Sequence, residues 1–465
     1  MSWTRGGLGS GLVLVWAASG FVMATTYVPT DLGDLPGGDD ESRSYGINAN
    51  GQVVGYAYVG TNQRGFLWSN GVMTDLGDLS GEGDWSRAEG VNASGQVVGA
   101  TNVGQMTRAF LWTNGVMTDL GDLTTLGTGW TNARALNDNG QVVGYSLTDT
   151  GDSHPFLWAN GVMTDLGDLP GAATGGHGFA SACAINDSGQ VVGYSELPAG
   201  NRAFLWENGT MTALAALPGG DGTSEAYGIN ASGKIVGFCA SATGDRPVLW
   251  QNGAVTDLGD LSGGGEEGWA YGINVAGQVV GRSDAVGFVW DPANGMRDLN
   301  DMLPGSEADD WEIWEARGIN AAGQIAGRGQ VPSGQAHAVL LTPVEAPVIA
   351  TIADGTCQTG QAYTVTPTLA GGDPADKWEL ISGPSGLTVD PNTGAVSWAT
   401  PTSTGSPFTI TIRATNVDGS DDETWELTVT GAPGAGCCAS AAPLMALPLV
   451  CGLLLLRRIG GRRRR

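Results

Sequence analysis

Clusters of carboxylates with tryptophan close by recur along this 465-residue chain. They are Asp39-Asp40-Glu41, Glu82 and Asp84 with Trp85, Asp221 and Glu225, Glu266-Glu267 with Trp269, and Glu307 with Asp309-Asp310, Trp311 and Trp314. Trp130 and Phe179 fall in the corresponding stretches that lack acids. Oxygen ligands hold Ca²⁺, and a sugar ring stacks on an exposed indole, so such clusters suit a Ca²⁺-dependent glycan site. The candidate metal ligands are Asp39, Asp40, Glu41, Asp309 and Asp310. The candidate stacking residues are Trp85, Trp130, Trp269, Trp311 and Trp314. A competing reading is an acidic, solvated rim with tryptophans wedged between structural units. No cluster shows the alternate-residue spacing of a Ca²⁺ loop, which favours the rim.

Catalytic signals are sparse. Of three histidines, His154 and His337 occupy a repeated position, and His177 stands alone in Gly175-Gly176-His177-Gly178. No serine or cysteine nucleophile motif accompanies it, and no carboxylate pair stands out for glycoside hydrolysis. The chain is therefore predicted not to be an enzyme, with a hydrolase built on an unrecognised carboxylate pair as one alternative. Cys183 and Cys239 are compatible with a disulfide in an exported protein, or with two separately buried thiols.

The segments between these clusters repeat seven times. GINANGQVVG at Gly46 returns as GVNASGQVVG, ALNDNGQVVG, AINDSGQVVG, GINASGKIVG, GINVAGQVVG and GINAAGQIAG, with its Asn at 48, 92, 137, 186, 230, 274 and 320. A period of about 45 residues means stacked or radial repeats. One period reads as four short strands, around Tyr45–Asn48, Gln52–Tyr58, Arg64–Trp68 and Val72–Leu76. Asn-Gly pairs at 70, 114, 160, 208 and 252 mark the hairpin turns. Four antiparallel strands per repeat predict a β-propeller blade. The last repeat ends without its fourth-strand DLGDL motif, and an extra copy at Asp31 precedes the first repeat. The N-terminal strand Thr26 to Leu35 is thus predicted to complete the seventh blade and close the ring.

The position four before the third-strand Trp is basic in Arg64, Arg108, His154, Arg202, Arg246 and His337, with Val286 as the exception. It is read as a cross-strand partner of the DLGDL aspartate, such as Arg64 with Asp75. The third strands, Arg108-Ala109-Phe110-Leu111-Trp112 and His154-Pro155-Phe156-Leu157-Trp158, followed by Met117-Thr118-Asp119-Leu120-Gly121, resemble the HAF-type extracellular repeat over residues 30–342. That resemblance implies export and carries no activity.

The net charge is −26, and residues 25–436 hold 14 Lys/Arg against 47 Asp/Glu. Nucleic acid is therefore excluded as a partner, and a glycan or a cell-envelope protein is expected. Residues 1–24 read as a signal peptide cleaved after Ala24. Residues 432–438 form a tether ending in Cys437-Cys438. The apolar run Ala439 to Leu456 and an Arg-rich end make 439–465 a transmembrane segment, the only expected membrane contact. This tail resembles the MYXO-CTERM sorting signal of myxobacterial surface proteins, which implies processing near Cys437 or Cys438 and anchoring at the bacterial surface.

Residues 344–431 alternate as Phe408-Thr409-Ile410-Thr411-Ile412 and Trp425-Glu426-Leu427-Thr428-Val429. With the segment Gly386 to Trp398 they resemble the Ig or cadherin-like modules of bacterial surface proteins. The sequence thus predicts an all-β chain: a seven-bladed propeller over 25–343, then an Ig-like sandwich. The predicted role is non-enzymatic surface binding or adhesion without a cofactor. A Ca²⁺-dependent carbohydrate-binding lectin is the first alternative, ahead of the hydrolase.

Overall fold

Each repeat folds into one four-stranded antiparallel sheet. The computed structural model describes residues 26–38, 41–81, 83, 85–172, 178–261, 267–305 and 310–431. Blade one consists of Ser42–Ile47, Val53–Val59, Asn62–Ser69 and Val72–Asp75, paired in that order. The first strands of the other blades are Ser86–Val91, Thr131–Leu136, Ala180–Ile185, Ser224–Ile229, Gly268–Ile273 and Glu312–Ile319. Each first strand touches the first strand of the next blade, and the seventh touches the first. These strands therefore line the axis of a closed seven-bladed propeller. At the turns Asn70 and Gly71 take φ of 50° and 82°, as a two-residue type I′ hairpin requires.

Adjacent valines show why blades stack on both faces. Val53 and Val54 point to opposite sides of their strand, yet both are 0% exposed. Val53 packs with Ala326 and Ala338 of blade seven, and Val54 with Ala88, Val97 and Phe110 of blade two. Phe66, Phe110, Phe156, Phe204 and Phe288 are equally buried. Each contributes about 2–3 kcal/mol by leaving water.

Closure is achieved as the offset of DLGDL predicts. Thr26–Asp31 pairs antiparallel with the third strand of blade seven, Ala336–Val344, in register from Thr26 opposite Val344 to Asp31 opposite Val339. The repeated asparagine adds a second closure. Asn48 Oδ1 accepts from the backbone N–H groups of Asn50 and Gln52, and its Nδ2 donates to Gln52 and to the carbonyl of Asn92. Asn92 donates to the Asn137 carbonyl, Asn137 to Asn186, Asn186 to Asn230, Asn230 to Asn274 and Asn274 to Asn320. Asn320 then donates to Asn48 at 3.1 Å, so the belt has no end. Asn92, Asn186 and Asn230, which begin N-x-Ser/Thr triplets, are buried in this belt.

The basic third-strand position is structural and more elaborate than a single cross-strand pair. Arg64 grips both aspartates of its DLGDL, Asp75 at 3.2 Å and Asp78 at 3.0 Å. Arg108 pairs with Asp119 and Asp122, Arg246 with Asp257 and Asp260, and His337 with Asp31 of the closing strand. In blade four Ala213 and Ala216 replace both aspartates.

His154 sits between Asp165 at 2.9 Å and Asp168 at 3.2 Å. Its hydrogen bonds to these two carboxylates push its pKa from 6.5 up to about 10, against the effect of burial. A raised folded-state pKa contributes stability that is complete below pH 6.5 and is lost as pH rises through 10. The stability difference between the native chain and His154→Gln should therefore shrink by of order 1 kcal/mol from pH 6 to pH 10, once partial exposure of Asp165 is allowed for. Urea unfolding at pH 6, 8 and 10 measures this, and a constant difference would refute the clamp.

The C-terminal region forms short sheets of its own. One runs Gly355–Gln358, Gly419–Thr430, Phe408–Asn416, Lys377–Ser382, with its first pair parallel. Another runs Tyr363–Val365, Val396–Trp398, Leu387–Val389. Trp398 and Trp425 are buried, and the Trp425 indole N–H donates to the Tyr363 hydroxyl at 3.0 Å. Among the described residues no helix is long and apolar enough to cross a membrane. The segments 1–24 and 432–465, with Ala24, Cys437 and Cys438, lie outside the described residues.

Candidate functional site

Every first strand carries one residue too many for its neighbour, and that of blade seven carries a second, Trp314. Registry slips between Ser44 and Gly46 in blade one, and at the matching place in the other six. Such a bulge leaves its extra residue unpaired and re-aims the side chain. The seven extra residues are Tyr45, Glu89, Arg134, Cys183, Tyr227, Tyr271 and Arg317. All seven line one cavity of about 370 Å³, joined by Tyr194 and Glu225.

The glycine of each QVVG segment makes room for the bulge. A Cβ on Gly55 would stand 1.9 Å from the Arg43 carbonyl oxygen, and one on Gly193 would stand 1.9 Å from that of Ser181. The residues that flank the bulge are small for the same crowding: Ser44 or alanine before it, glycine or alanine after it. Strands one and two, and three and four, are joined by the short uniform turns, so the cavity opens on the opposite face, among the variable links.

Most of the charge at this mouth is internally matched. Glu315 is 4% exposed and held by Arg43 at 2.6 Å and Arg317 at 3.0 Å. Arg87 pairs with Glu89 at 2.6 Å, and Arg328 with Glu41 at 2.7 Å. Glu225 accepts from Asn201 Nδ2 at 2.6 Å and from the Tyr227 hydroxyl at 2.8 Å. Aromatic faces are engaged too: the Arg317 guanidinium lies 4.0 Å from the Tyr271 ring centre, and Tyr227 packs on Tyr271 at 5.5 Å.

Burial pushes the phenols of Tyr45, Tyr194, Tyr227 and Tyr271 above their usual range, so all four stay protonated hydrogen-bonding groups at neutral pH. Burial likewise raises the Cys183 thiol to about 11. The Arg134 charge is opposed by burial and held on by Cys183 and Glu89. The mouth thus offers tyrosine faces and hydroxyls, arginine donors and glutamate acceptors, a set suited to a small polyhydroxylated ligand.

The sequence-predicted residues are dispersed relative to this mouth. Trp314 lines an adjoining pocket with Arg43, Arg282, Glu315 and Arg328, and its ring lies 5.4 Å from the Arg328 guanidinium. Trp269 is partly buried beneath Arg282 at 5.0 Å and packs on Phe238. Trp85 is partly buried and donates to Gln63 at 2.8 Å, while Trp311 packs against the core of blades six and seven. Trp130 is 56% exposed on its own link. Phe179 is wedged between Tyr145 and Tyr194.

The acidic candidates need correction where they are described. Glu41 is the partner of Arg328, and Asp310 is exposed. Asp39, Asp40, Asp309, Glu82, Asp84, Glu266, Glu307 and His177 lie outside the described residues. Among the described residues no group of three or more His, Cys, Asp or Glu is placed to hold a metal ion. Cys183 and Cys239 are both free thiols, so the candidate disulfide is not formed: Cys183 faces the mouth, and Cys239 packs in the core between blades four and five. Glu89 and Glu225 do converge on the mouth, as a hydrolase would need. Glu89 is paired there with Arg87, and Glu225 accepts from Asn201 and Tyr227.

No sequence feature used above pointed to the seven bulge residues. The available signal was the position just before G-I-N, which holds Tyr, Glu, Arg, Cys, Tyr, Tyr and Arg between near-constant small neighbours.

Residues 346–430 match the He_PIG family, described as "Putative Ig domain". This covers the C-terminal region alone. No match is found among curated proteins. Similar solved structures include a mutant Aleuria aurantia lectin in complex with alpha-methyl-L-fucoside, at 9% identity and TM-score 0.33 over 59% of this chain and 94% of that one. Porphyromonas gingivalis dipeptidyl peptidase 4 aligns at 13% identity and TM-score 0.31, over 68% of this chain and 52% of that one. A SusE-like surface located polysaccharide binding protein from the Bacteroides thetaiotaomicron heparin utilisation locus aligns at 13% identity and TM-score 0.20, over 63% and 43%. The propeller rests on the strand order and the asparagine belt rather than on these similarities.

Proposed function

We propose that this protein is a non-enzymatic binding module whose ligand, a glycan, enters the central mouth of the propeller. One observation carries the reading: the residues directly flanking each bulge are near-constant and small, while the bulge position itself varies from blade to blade and its seven side chains line the cavity. Sites on repeat scaffolds arise where a rigid frame presents varied side chains. The HAF-type repeats, the signal peptide and the MYXO-CTERM-like tail support export and anchoring at a bacterial surface, with the Ig-like domain as a stalk.

A glycan array probed with the exported chain, residues 25–431, tests this, with Ca²⁺ and again with EDTA. Binding should survive EDTA. It should weaken about tenfold or more in Tyr271→Ala or Tyr227→Ala, because each removes an aromatic face from the cavity. Trp85→Ala and Trp130→Ala should leave it within about threefold. The opposite pattern would move the site to the outer links and revive the calcium lectin.

A further inference from the structure

Six of the twelve Lys and Arg residues in 25–343 gather at the mouth: Arg43, Arg87, Arg134, Arg282, Arg317 and Arg328. Five have partners. Arg43 and Arg317 share Glu315, Arg87 holds Glu89, Arg328 holds Glu41, and Arg282 donates to the Asp284 carbonyl at 2.6 Å. Arg134 makes no hydrogen bond and no ion pair among the described residues. It lies near the Tyr145 ring at 5.6 Å, and its Nε is sealed from solvent without an acceptor. Arg134 is half-buried at the cavity wall, and Glu89 supports its charge without bonding to it.

A second observation comes from the neighbouring position. In blades one, two, four, five and seven, the bulge residue interacts with the residue two before it on the same strand. The pairs are Arg43 with Tyr45, Arg87 with Glu89, Ser181 with Cys183, Glu225 with Tyr227, and Glu315 with Arg317. In blade three these positions are Asn132 and Arg134, and they do not bond to each other. Asn132 is 5% exposed, and its Oδ1 has no donor. Of the two, Arg134 lines the cavity of about 370 Å³, while Asn132 Oδ1 is sealed from solvent and outside that lining. A guanidinium at a cavity wall with no acceptor of its own marks what a ligand supplies.

We infer that the mouth takes an acidic saccharide of the uronic acid class, with its carboxylate on Arg134. This rests on the mouth being the glycan site. A carboxylate accepts two parallel N–H groups from one guanidinium, and the tyrosines and glutamates of the same cavity offer partners for a sugar's hydroxyls, so a hydroxylated monocarboxylate fits both. Tyr194, near enough to Arg134 to feel its charge, lines the same cavity. The acidic exterior repels extended polyanions. Inside the mouth the lower dielectric strengthens contact with Arg134 over the few ångströms that matter.

Titration calorimetry on the full chain tests the assignment with glucuronate and galacturonate oligosaccharides and their neutral gluco and galacto counterparts. The acidic ligands should bind at least tenfold tighter than the neutral ones. Arg134→Met should abolish that preference, and Arg134→Lys should restore part of it. Equal affinity for acidic and neutral sugars, lost in Tyr271→Ala and unchanged in Arg134→Met, would overturn the uronate assignment and leave the mouth as the site. No binding, or binding indifferent to both Tyr271→Ala and Arg134→Met, would overturn the mouth reading and the assignment with it.

Discussion

Gly193→Ala is expected to destabilise the propeller by about 3 kcal/mol or more, among the largest effects of adding a single methyl group. The new Cβ would stand 1.9 Å from the Ser181 carbonyl oxygen and 2.9 Å from the Ala182 Cα, and both neighbours are backbone. No rotamer change relieves such a clash. The first strand of blade four must move, and it is held by the first strands of blades three and five. Cys183 sits on that strand at the mouth, so ligand binding should fall together with stability. Gly305→Ala is the control, because a Cβ there meets nothing within 4 Å. Chemical denaturation of both variants decides the point; equal midpoints would show that the bulge needs no glycine opposite it.

The second large effect is expected at the belt. Asn320 is 5% exposed; its Oδ1 accepts from the N–H groups of Ala322 and Gln324, and its Nδ2 donates to Gln324 and to the Asn48 carbonyl. Asn320→Ala strands two backbone N–H groups and a buried carbonyl, which corresponds to about 2–4 kcal/mol of lost stability. Asn320→Asp keeps the acceptor, loses both donations and sets a carboxylate against the Asn48 carbonyl. It should be at least as damaging as alanine. Urea unfolding of the two variants, with Asn208→Ala at an exposed hairpin turn as reference, measures the belt. An Asn320→Asp variant as stable as the native chain would mean that the belt's amide donation contributes nothing.

Both predictions concern residues that the repeat advertises. Yet the same repeat was silent about why they recur. Gln52 to Tyr58 reads as an apolar strand with a glycine at its centre, and nothing in one dimension tells that this glycine faces a carbonyl across a bulge. A bulge inserts a single residue and leaves the flanking alternation intact, so periodicity cannot reveal it. The innermost strand was also read as starting at Tyr45, because Ser42-Arg43-Ser44 lacks an apolar signal. Those three residues are nonetheless paired in the sheet, and Arg43 belongs to the mouth.

The tryptophans were misleading for a related reason. An indole in a variable link looks exposed in sequence, but Trp311 packs against a core and Trp85 is tied to Gln63 by its N–H. Trp130 stands well out, and Trp314 lines a pocket at the mouth. Carboxylates misled in the same way: Glu41 looked like a loop ligand and is the counter-ion of Arg328 from another blade.

The chain's local chemistry determined its architecture. Asn-Gly turns, a period of about 45 residues, adjacent valines that demand two covered faces, and a DLGDL extra before the first repeat and missing from the last leave one closed, seven-bladed solution. Those are short-range instructions, legible wherever a residue acts on neighbours a few positions away. The mouth is different in kind. Its seven residues come from seven repeats, roughly one period apart in the chain, and share no local motif. They meet because closure of the ring brings every first strand to one axis, and each bulge turns its extra side chain inward. Only that convergence could decide which of the mouth's arginines found partners and leave Arg134 at the cavity wall without one.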